Sequence, residues 1–99
     1  MEIKRGQVVR SIAGHDKGGF LAVLEVDPPC VLVCDGKHRP LERPKRKKTF
    51  HVAPTATVLP EETLQTNRQI RTALRLYGEE RRQQSETGSD GRSPERYGD

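Results

Sequence analysis

The stretch FLAVLEVDPPCVLVC, residues 20–34, carries the strongest β-strand signals in the chain. Phe20 to Val26 is apolar except for Glu25, a pattern typical of a central strand that is covered on both faces. The segment DPP, residues 27–29, ends this strand because proline has no N–H to donate to a neighbouring strand. The β-branched run CVLVC, residues 30–34, then predicts the next strand.

A further strand and a glycine-rich turn lie upstream of this stretch. GQVVRSIA, Gly6 to Ala13, is a β-branched run that begins at a glycine. It is followed directly by GHDKGG, Gly14 to Gly19, whose composition is typical of a turn. We therefore expect the first strand to reverse direction through this turn and enter the strand that begins at Phe20.

Downstream, Asp35-Gly36 supplies the positive φ of a tight hairpin turn. A return strand is expected around Arg39 to Arg43, where charge and flanking prolines are typical of an edge strand. KKTFHVAPT, Lys47 to Thr55, predicts a last strand that has Phe50 and Val52 on one face and ends at Pro54. Short strands at this spacing predict a small, strongly bent barrel.

Beyond Pro60 the periodicity changes from that of a strand to that of a helix. Thr66 and Gln69 have the T-x-x-Q spacing of a capping box, and Gly78 supplies a stop, so we predict a helix over residues 67–77. Four apolar residues at i, i+3, i+4 and i+7 form its expected buried face: Ile70, Ala73, Leu74 and Tyr77.

The apolar residues are unevenly distributed, with 24 in residues 1–59 and 7 in residues 60–99. Because a core needs apolar material, we place the barrel at residues 1–59 and a linker with the amphipathic helix at 60–77. In residues 78–99 Tyr97 is the only hydrophobic residue, which predicts a disordered polar tail. The expected fold class is mainly β, with one C-terminal helix.

The positive charge is concentrated in residues 37–51, where seven basic residues and one acid give a net charge of +6. Because the net charge of the whole chain is +4, the remaining residues sum to −2. Such a local field suits a polyphosphate, although a solvated loop that only confers solubility is the alternative. A membrane surface is disfavoured because prolines interrupt the run and no apolar face accompanies it. The cations are Lys37, Arg39, Arg43, Lys45, Arg46, Lys47 and Lys48.

The two cysteines, Cys30 and Cys34, are expected to be reduced and packed. In a strand they lie about 13 Å apart, at roughly 3.3 Å per residue, and a disulfide needs Cα atoms within about 7 Å. A zinc site would need His38 or His51 to converge on both sulfurs, and the sequence does not contain a CxxC pair with a second matching pair. We therefore expect no metal and no cofactor, and the thiols indicate a reducing compartment.

Catalysis is not expected from this sequence. His15 and Asp16 are adjacent, so their side chains diverge on an extended turn, and so small a core has little interior from which to exclude water. No apolar run approaches the about 18 residues that span a bilayer, and the N-terminus MEIKRG lacks the apolar segment of a signal peptide. We expect a cytoplasmic protein, a monomer, with no membrane contact.

The glycine-rich turn has two interpretations. Its three glycines can expose consecutive N–H groups as a small anion-binding nest, with the charge of Lys17 beside them. Alternatively, Gly14 and Gly18 serve only the geometry of the hairpin.

Three segments together carry a resemblance to a known motif: GQVV (6–9), AGHDKG (13–18) and VLEV (23–26). This arrangement resembles the KOW motif, in which a G-x-x-K-G loop joins two strands. Over residues 1–59 the chain is most similar to small bacterial KOW-domain RNA-binding proteins, which are similar to KOW-bearing large-subunit ribosomal proteins of archaea and eukaryotes. The resemblance implies an SH3-like barrel and RNA as ligand. It also implies that Gly14 and Gly18 shape the loop while His15 and Lys17 face the RNA.

Our leading hypothesis is an RNA-binding protein, associated with the ribosome or ribosomal RNA, that docks on structured RNA through phosphate contacts. We expect recognition of RNA shape rather than base stacking, because only four residues are aromatic and most are needed for packing. The expected phosphate contacts come from Lys17, Arg39, Arg43, Lys45, Arg46, Lys47 and Lys48.

The competing hypothesis is an SH3-like protein-interaction adaptor on the transcription or translation machinery. Such an adaptor would hold an acidic partner through its loops or through the arginine face of the helix. That face comprises Arg68, Arg71 and Arg75. Such a face can also form a second, weaker contact to RNA, but it more often serves only as a solvated outer surface.

Overall fold

The computed structural model describes residues 3–14 and 17–88, with side chains described as far as residue 81. The chain is mainly β, with one C-terminal helix, as expected from the sequence. Single 3-10 turns at Thr49–His51 and Glu61–Leu64 connect the later elements. The regular elements are β1 (Gln7–Ser11), β2 (Phe20–Asp27), β3 (Cys30–Cys34), β4 (Lys45–Lys48), β5 (Val52–Val58) and α1 (Asn67–Gly88).

The five strands form one antiparallel sheet in the order β4-β3-β2-β1-β5, so β2 is central as its apolar sequence predicts. The pairing register shifts between Val23 and Glu25 on the β2–β3 side and between Gln7 and Val9 on the β1–β5 side. Bulges of this kind bend a strand and increase its twist. The sheet is not closed, since β4 and β5 remain its edges, and it fits a small β-barrel-like domain.

Both faces of the sheet are buried, each in a different way. One face packs its own side chains together, including Val9, Val31 and Val33, which have no exposed surface, and this cluster contains no residue of α1. A flat sheet would leave that face in contact with water, so the sheet must curve around this cluster to bury it. The opposite face, with Val8 and Ala22, is covered by the helix.

Helix α1 begins where the capping box predicts. The Thr66 Oγ1 accepts a hydrogen bond from the Gln69 backbone N–H at 3.1 Å, which satisfies one of the free donors at the helix start. Ile70 and Leu74 are buried against the sheet, and the Tyr77 ring meets the Phe20 ring edge to face at 5.0 Å. The predicted apolar face of the helix is therefore confirmed.

The predicted helix end is wrong, because α1 continues through Gly78 to Gly88. Gly78 does not adopt the positive φ of a helix-ending glycine, and its Cα faces the Phe20 ring. The following glutamates, arginines and glutamines are good helix formers, so one glycine does not stop the helix. Residues 78–88 of the expected disordered tail are thus helical, and residues 89–99 lie outside the described residues.

The region after β3 also differs from expectation. Gly36 has the predicted positive φ of 79°, but residues 35–44 form a wide loop instead of a tight hairpin, and no strand forms at Arg39–Arg43 within it. The Asp35 Oδ1 accepts hydrogen bonds from the N–H groups of Lys37 and Arg39, both at 2.8 Å. A hairpin would need these two N–H groups for hydrogen bonds between its strands. Because the Asp35 side chain accepts them instead, a loop is favoured.

The predicted strand at residues 47–55 is divided in two. The 3-10 turn at Thr49–His51 separates β4 from β5, and β5 runs past Pro54 to Val58. Pro54 lies opposite Val9 on the outermost strand, where a missing N–H is tolerated.

The cysteines are free and buried thiols, as predicted. Burial raises the pKa of the Cys34 thiol to about 11, and the adjacent Asp35 carboxylate acts in the same direction. The thiol therefore stays protonated and weakly nucleophilic at neutral pH. Within residues 3–14 and 17–88, no helix has the length and apolar character needed to cross a membrane.

Candidate nucleic-acid interface

An open depression of ≈ 270 Å³ lies between edge strand β4 and the loop that joins β1 to β2. Its volume is below the roughly 300 to 1,000 Å³ typical of enclosed small-molecule sites, so it suits a single charged group on a larger ligand. The glycine-rich loop contributes Gly14. The cations that line the depression are Arg39, Lys45, Arg46, Lys47 and Lys48.

Lys47 holds the two walls of this depression together. Its side chain is only 7% exposed, and its Nζ donates a hydrogen bond to the Ala13 carbonyl oxygen at 3.1 Å. A Cβ added to Gly14 would lie 3.5 Å from the same Nζ. Because Lys47 pairs with Val31 in the register, it points to the inner face of the sheet and reaches the loop from within. The ammonium group is thus fixed beside the loop.

The other β4 cations differ in whether a carboxylate already neutralises their charge. Arg46 forms an ion pair with Asp27 at 2.9 Å, and this hydrogen bond raises the pKa of the guanidinium. Lys45 and Lys48 are exposed and have no carboxylate partner among the residues that the structure describes. These two lysines therefore offer the most accessible positive charge on the strand.

A second depression adjoins the first and is also basic. Lys37, His38, Arg39 and Arg43 line it, and Arg39 lines both depressions, so the positive charge is continuous between them. We call the cations of the two depressions, at positions 37, 39, 43 and 45–48, the basic surface. The arrangement can attract and neutralise several phosphates along one nucleic-acid backbone.

The loop that carries three of the seven cations of the basic surface is anchored to the helix. The Asn67 Oδ1 accepts a hydrogen bond from the Leu41 backbone N–H at 2.7 Å, and the Asn67 Nδ2 donates to Glu42 at 3.0 Å. The second bond lowers the pKa of the Glu42 carboxyl, because it favours the ionised form. The loop cations are therefore presented on a supported backbone.

The glycine-rich loop uses its own amides internally. Gly14 and Gly18 have φ values of 81° and 91°, which a loop-shaping role requires. The Gly18 N–H donates to the Ser11 carbonyl at 2.8 Å, and the Lys17 N–H donates to the Gly14 carbonyl at 3.2 Å. These two amides cannot form an anion-binding nest, so the hairpin interpretation is favoured.

The remaining predicted positions are less closely grouped. Lys17 is exposed on the glycine-rich loop but does not line the depression, and His15 lies outside the described residues. On the helix, Arg68 and Arg71 are exposed, while Arg75 forms an ion pair with Glu79 at 3.1 Å. The helix arginines thus form a separate exposed face.

Sequence reasoning missed two residues at this site. His51 lines the first depression, and Phe50, expected to share a buried face with Val52, is 68% exposed. The 3-10 turn at Thr49–His51 breaks the strand alternation that this expectation assumed. The segment contains neither glycine nor proline, so no local signal marks the turn.

Neither the protein-family models nor the curated protein sequences contain a match to this chain. A function for this chain is therefore inferred from the geometry and charge of the basic surface together with the sequence motifs of residues 1–59.

Proposed function

We propose that this protein binds structured RNA, with ribosomal RNA as the first candidate, by holding backbone phosphates on the basic surface. One observation carries the proposal: Gly14 of the glycine-rich loop and the four cations of β4 line a single depression. Cations that are far apart in a flexible chain would attract phosphates without orienting them. Here Lys47 fixes β4 against the loop, so the charges have a defined spacing.

The chemistry of the cations suits phosphates in two ways. Lysine ammonium groups act as compact point charges, while an exposed guanidinium such as that of Arg43 can donate two parallel hydrogen bonds to one phosphate. The resemblance of residues 1–59 to KOW-domain proteins supports RNA as the ligand. It is also the reason that ribosomal RNA is the first candidate.

The proposal predicts a charge-dependent loss of RNA affinity in the double variant Lys45→Gln/Lys48→Gln. Both side chains are exposed, so the fold should be retained. If about five phosphates are neutralised, log K should fall with log salt at a slope of about −3.5 to −4.5. Removing two contacts should reduce that slope by about 1.4 to 1.8. Fluorescence anisotropy with a labelled ribosomal RNA hairpin, from about 50 to 200 mM salt, measures both quantities.

A matched control removes the same charge elsewhere. Arg68→Gln/Arg71→Gln lowers the net charge equally on the helix face, and the affinity should stay within about twofold of the wild type. An equal loss in both double variants would mean that net charge alone drives binding, and would contradict the proposal.

The ribosomal assignment is tested with the same β4 variant in a cell lysate. Wild-type protein should sediment with ribosomal particles at low salt and be released at high salt, and Lys45→Gln/Lys48→Gln should be released at lower salt. Wild-type protein found only at the top of the low-salt gradient would exclude the ribosome but not other RNAs. Purified protein without ribonuclease-sensitive absorbance at 260 nm, and with no affinity for the hairpin, would favour an acidic protein partner.

A further inference from the structure

An exposed aromatic ring lies beside the basic surface. Phe50 is 68% exposed, the largest exposed fraction among the large hydrophobic side chains that the structure describes. It follows Lys48 and Thr49 directly and precedes His51, and both Lys48 and His51 line the first depression. Exposing a phenylalanine to water costs free energy that burial against a ligand would recover, so the ring is available as a contact for a ligand held on the basic surface.

The orientation of the ring leaves it open for stacking. The ring centroids of Phe50 and His51 are 4.6 Å apart, with an angle of 75° between the planes. In this edge-to-face geometry His51 can cover at most one face of the Phe50 ring. The short 3-10 turn at Thr49–His51 places Phe50 directly after β4, and its ring contacts that of His51, which lines the first depression.

We propose that Phe50 is a stacking platform for an unpaired nucleobase of an RNA whose phosphates lie on the basic surface. This inference rests on the proposed function and adds a base contact to it. It replaces the expectation that RNA shape alone is recognised, because that expectation assumed that Phe50 was needed for packing. A loop or bulge, where a base is free of its helix, would be the recognised element.

A nucleotide matches this surface better than an apolar peptide does. Each nucleotide carries a π face and a negative phosphate in one unit, and here the exposed Phe50 ring and the exposed Lys45 and Lys48 lie within residues 45–50. An apolar partner seated on Phe50 would have to bury Lys48 or His51 beside it, and burying a charge without a counter-charge is costly.

The chain contains no tryptophan, which allows a direct test. Phe50→Trp introduces a single indole that can stack in the same position. Its fluorescence should be quenched by an RNA hairpin with an unpaired loop, and not by a fully paired RNA duplex with the same number of phosphates. The duplex controls for charge, because it carries the same number of phosphates at a charge density at least as high as that of the hairpin.

Phe50→Ala tests the contribution to affinity. Its affinity for the looped hairpin should fall by roughly 5- to 100-fold, the range expected for one base stacked on an aromatic side chain. The duplex affinity and the salt slope should not change, because the ring carries no charge. Leu76→Ala, which truncates an exposed apolar residue on α1, should leave both affinities unaltered.

The outcomes separate this inference from the function on which it rests. Salt-dependent binding of both RNAs with no loss in Phe50→Ala would overturn the stacking role and leave the phosphate contacts standing. Failure of the wild type to bind either RNA would overturn both. If Phe50→Ala has a lowered melting temperature, Phe50→Leu decides the matter: it retains apolar bulk without a stacking ring, so a stably folded Phe50→Leu should still lose affinity for the looped hairpin, and wild-type affinity in this variant would overturn the stacking role.

Discussion

At the residue scale, Gly36 controls how closely the basic loop approaches the helix. Its φ is 79°, and a Cβ added there would collide with the backbone carbonyl oxygen of Asn67 and lie 3.1 Å from the Arg71 backbone nitrogen. Both obstacles are backbone atoms of α1, which cannot move aside as a side-chain end can. Only glycine therefore allows residues 35–44 to lie against the start of the helix.

Gly36→Ala should accordingly destabilise the protein by about 3 to 4 kcal/mol, combining backbone strain with displacement of the helix start. Gly18→Ala is the matched control, since Gly18 has a similar φ of 91° but nothing within 4 Å of its Cβ position. The free energy of unfolding of Gly18→Ala should fall by only about 1 to 2 kcal/mol, which is the cost of holding alanine in the left-handed conformation. Urea unfolding followed by circular dichroism measures both, and equal losses would show that the close approach contributes nothing.

At the element scale, α1 passes through a glycine that contributes little to packing. A Cβ on Gly78 would lie 3.9 Å from the Phe20 ring, which is ordinary van der Waals contact. Gly78→Ala should therefore raise the free energy of unfolding by about 0.5 to 1 kcal/mol, because alanine loses less backbone entropy in a helix. The sign of this change distinguishes a helix that continues through Gly78 from one that ends there. If the helix ended at Gly78 in a left-handed conformation, alanine would lower the free energy of unfolding. Urea unfolding gives the sign.

The elements that could be predicted from sequence are those fixed by local chemistry. The strand from Cys30 to Cys34 is specified by its β-branched residues, and the helix start by the Thr66–Gln69 capping pair. The loop at residues 35–44 and the turn at Thr49–His51 were not predicted. The Asp35 side chain favours the loop locally, but these conformations also depend on partners distant in sequence, such as the bond from Leu41 to Asn67, and no composition signal reports such a bond.

The candidate site also has parts that could be predicted from the sequence and parts that could not. Charge density alone identified the β4 cations, since clustering in sequence on a short strand ensures clustering in space. The contact of Lys47 with Ala13 joins residues 34 positions apart, so the depression itself was beyond prediction. The exposure of Phe50 follows from the unpredicted turn.

At the scale of the whole molecule, charge is segregated between the sheet edge and the rest of the chain. The basic surface accounts for the +6 of residues 37–51, while several acids elsewhere are held by arginines, as in Arg5–Glu61 and Arg75–Glu79. A one-sided field of this kind steers a polyanion toward one face. The lysines of β4 also discourage another chain from pairing with this open edge.

Two carboxylates connect distant parts of the fold and should make its stability depend on pH. Glu61 accepts hydrogen bonds from Arg5 at 2.7 and 2.9 Å, and Glu42 accepts one from Asn67 at 3.0 Å. These bonds lower the pKa of both carboxyls. Because the folded pKa lies below the unfolded value of about 4.3, the stabilisation is complete above that value and is lost as pH falls through the folded pKa.

The melting temperature of the wild type should therefore decrease as the pH is lowered from about 6 to below 4. The double variant Glu42→Gln/Glu61→Gln should melt at a lower temperature than the wild type at pH 6, because a neutral amide oxygen accepts a weaker hydrogen bond than a carboxylate. Its melting temperature should also depend less on pH, because glutamine does not titrate. Glu62→Gln removes an exposed carboxylate from the same 3-10 turn as Glu61 and should retain the wild-type pH profile. If the double variant instead followed the wild-type profile, the acid sensitivity would arise from other carboxylates, and these two bonds would not hold the loop and the N-terminal segment in place.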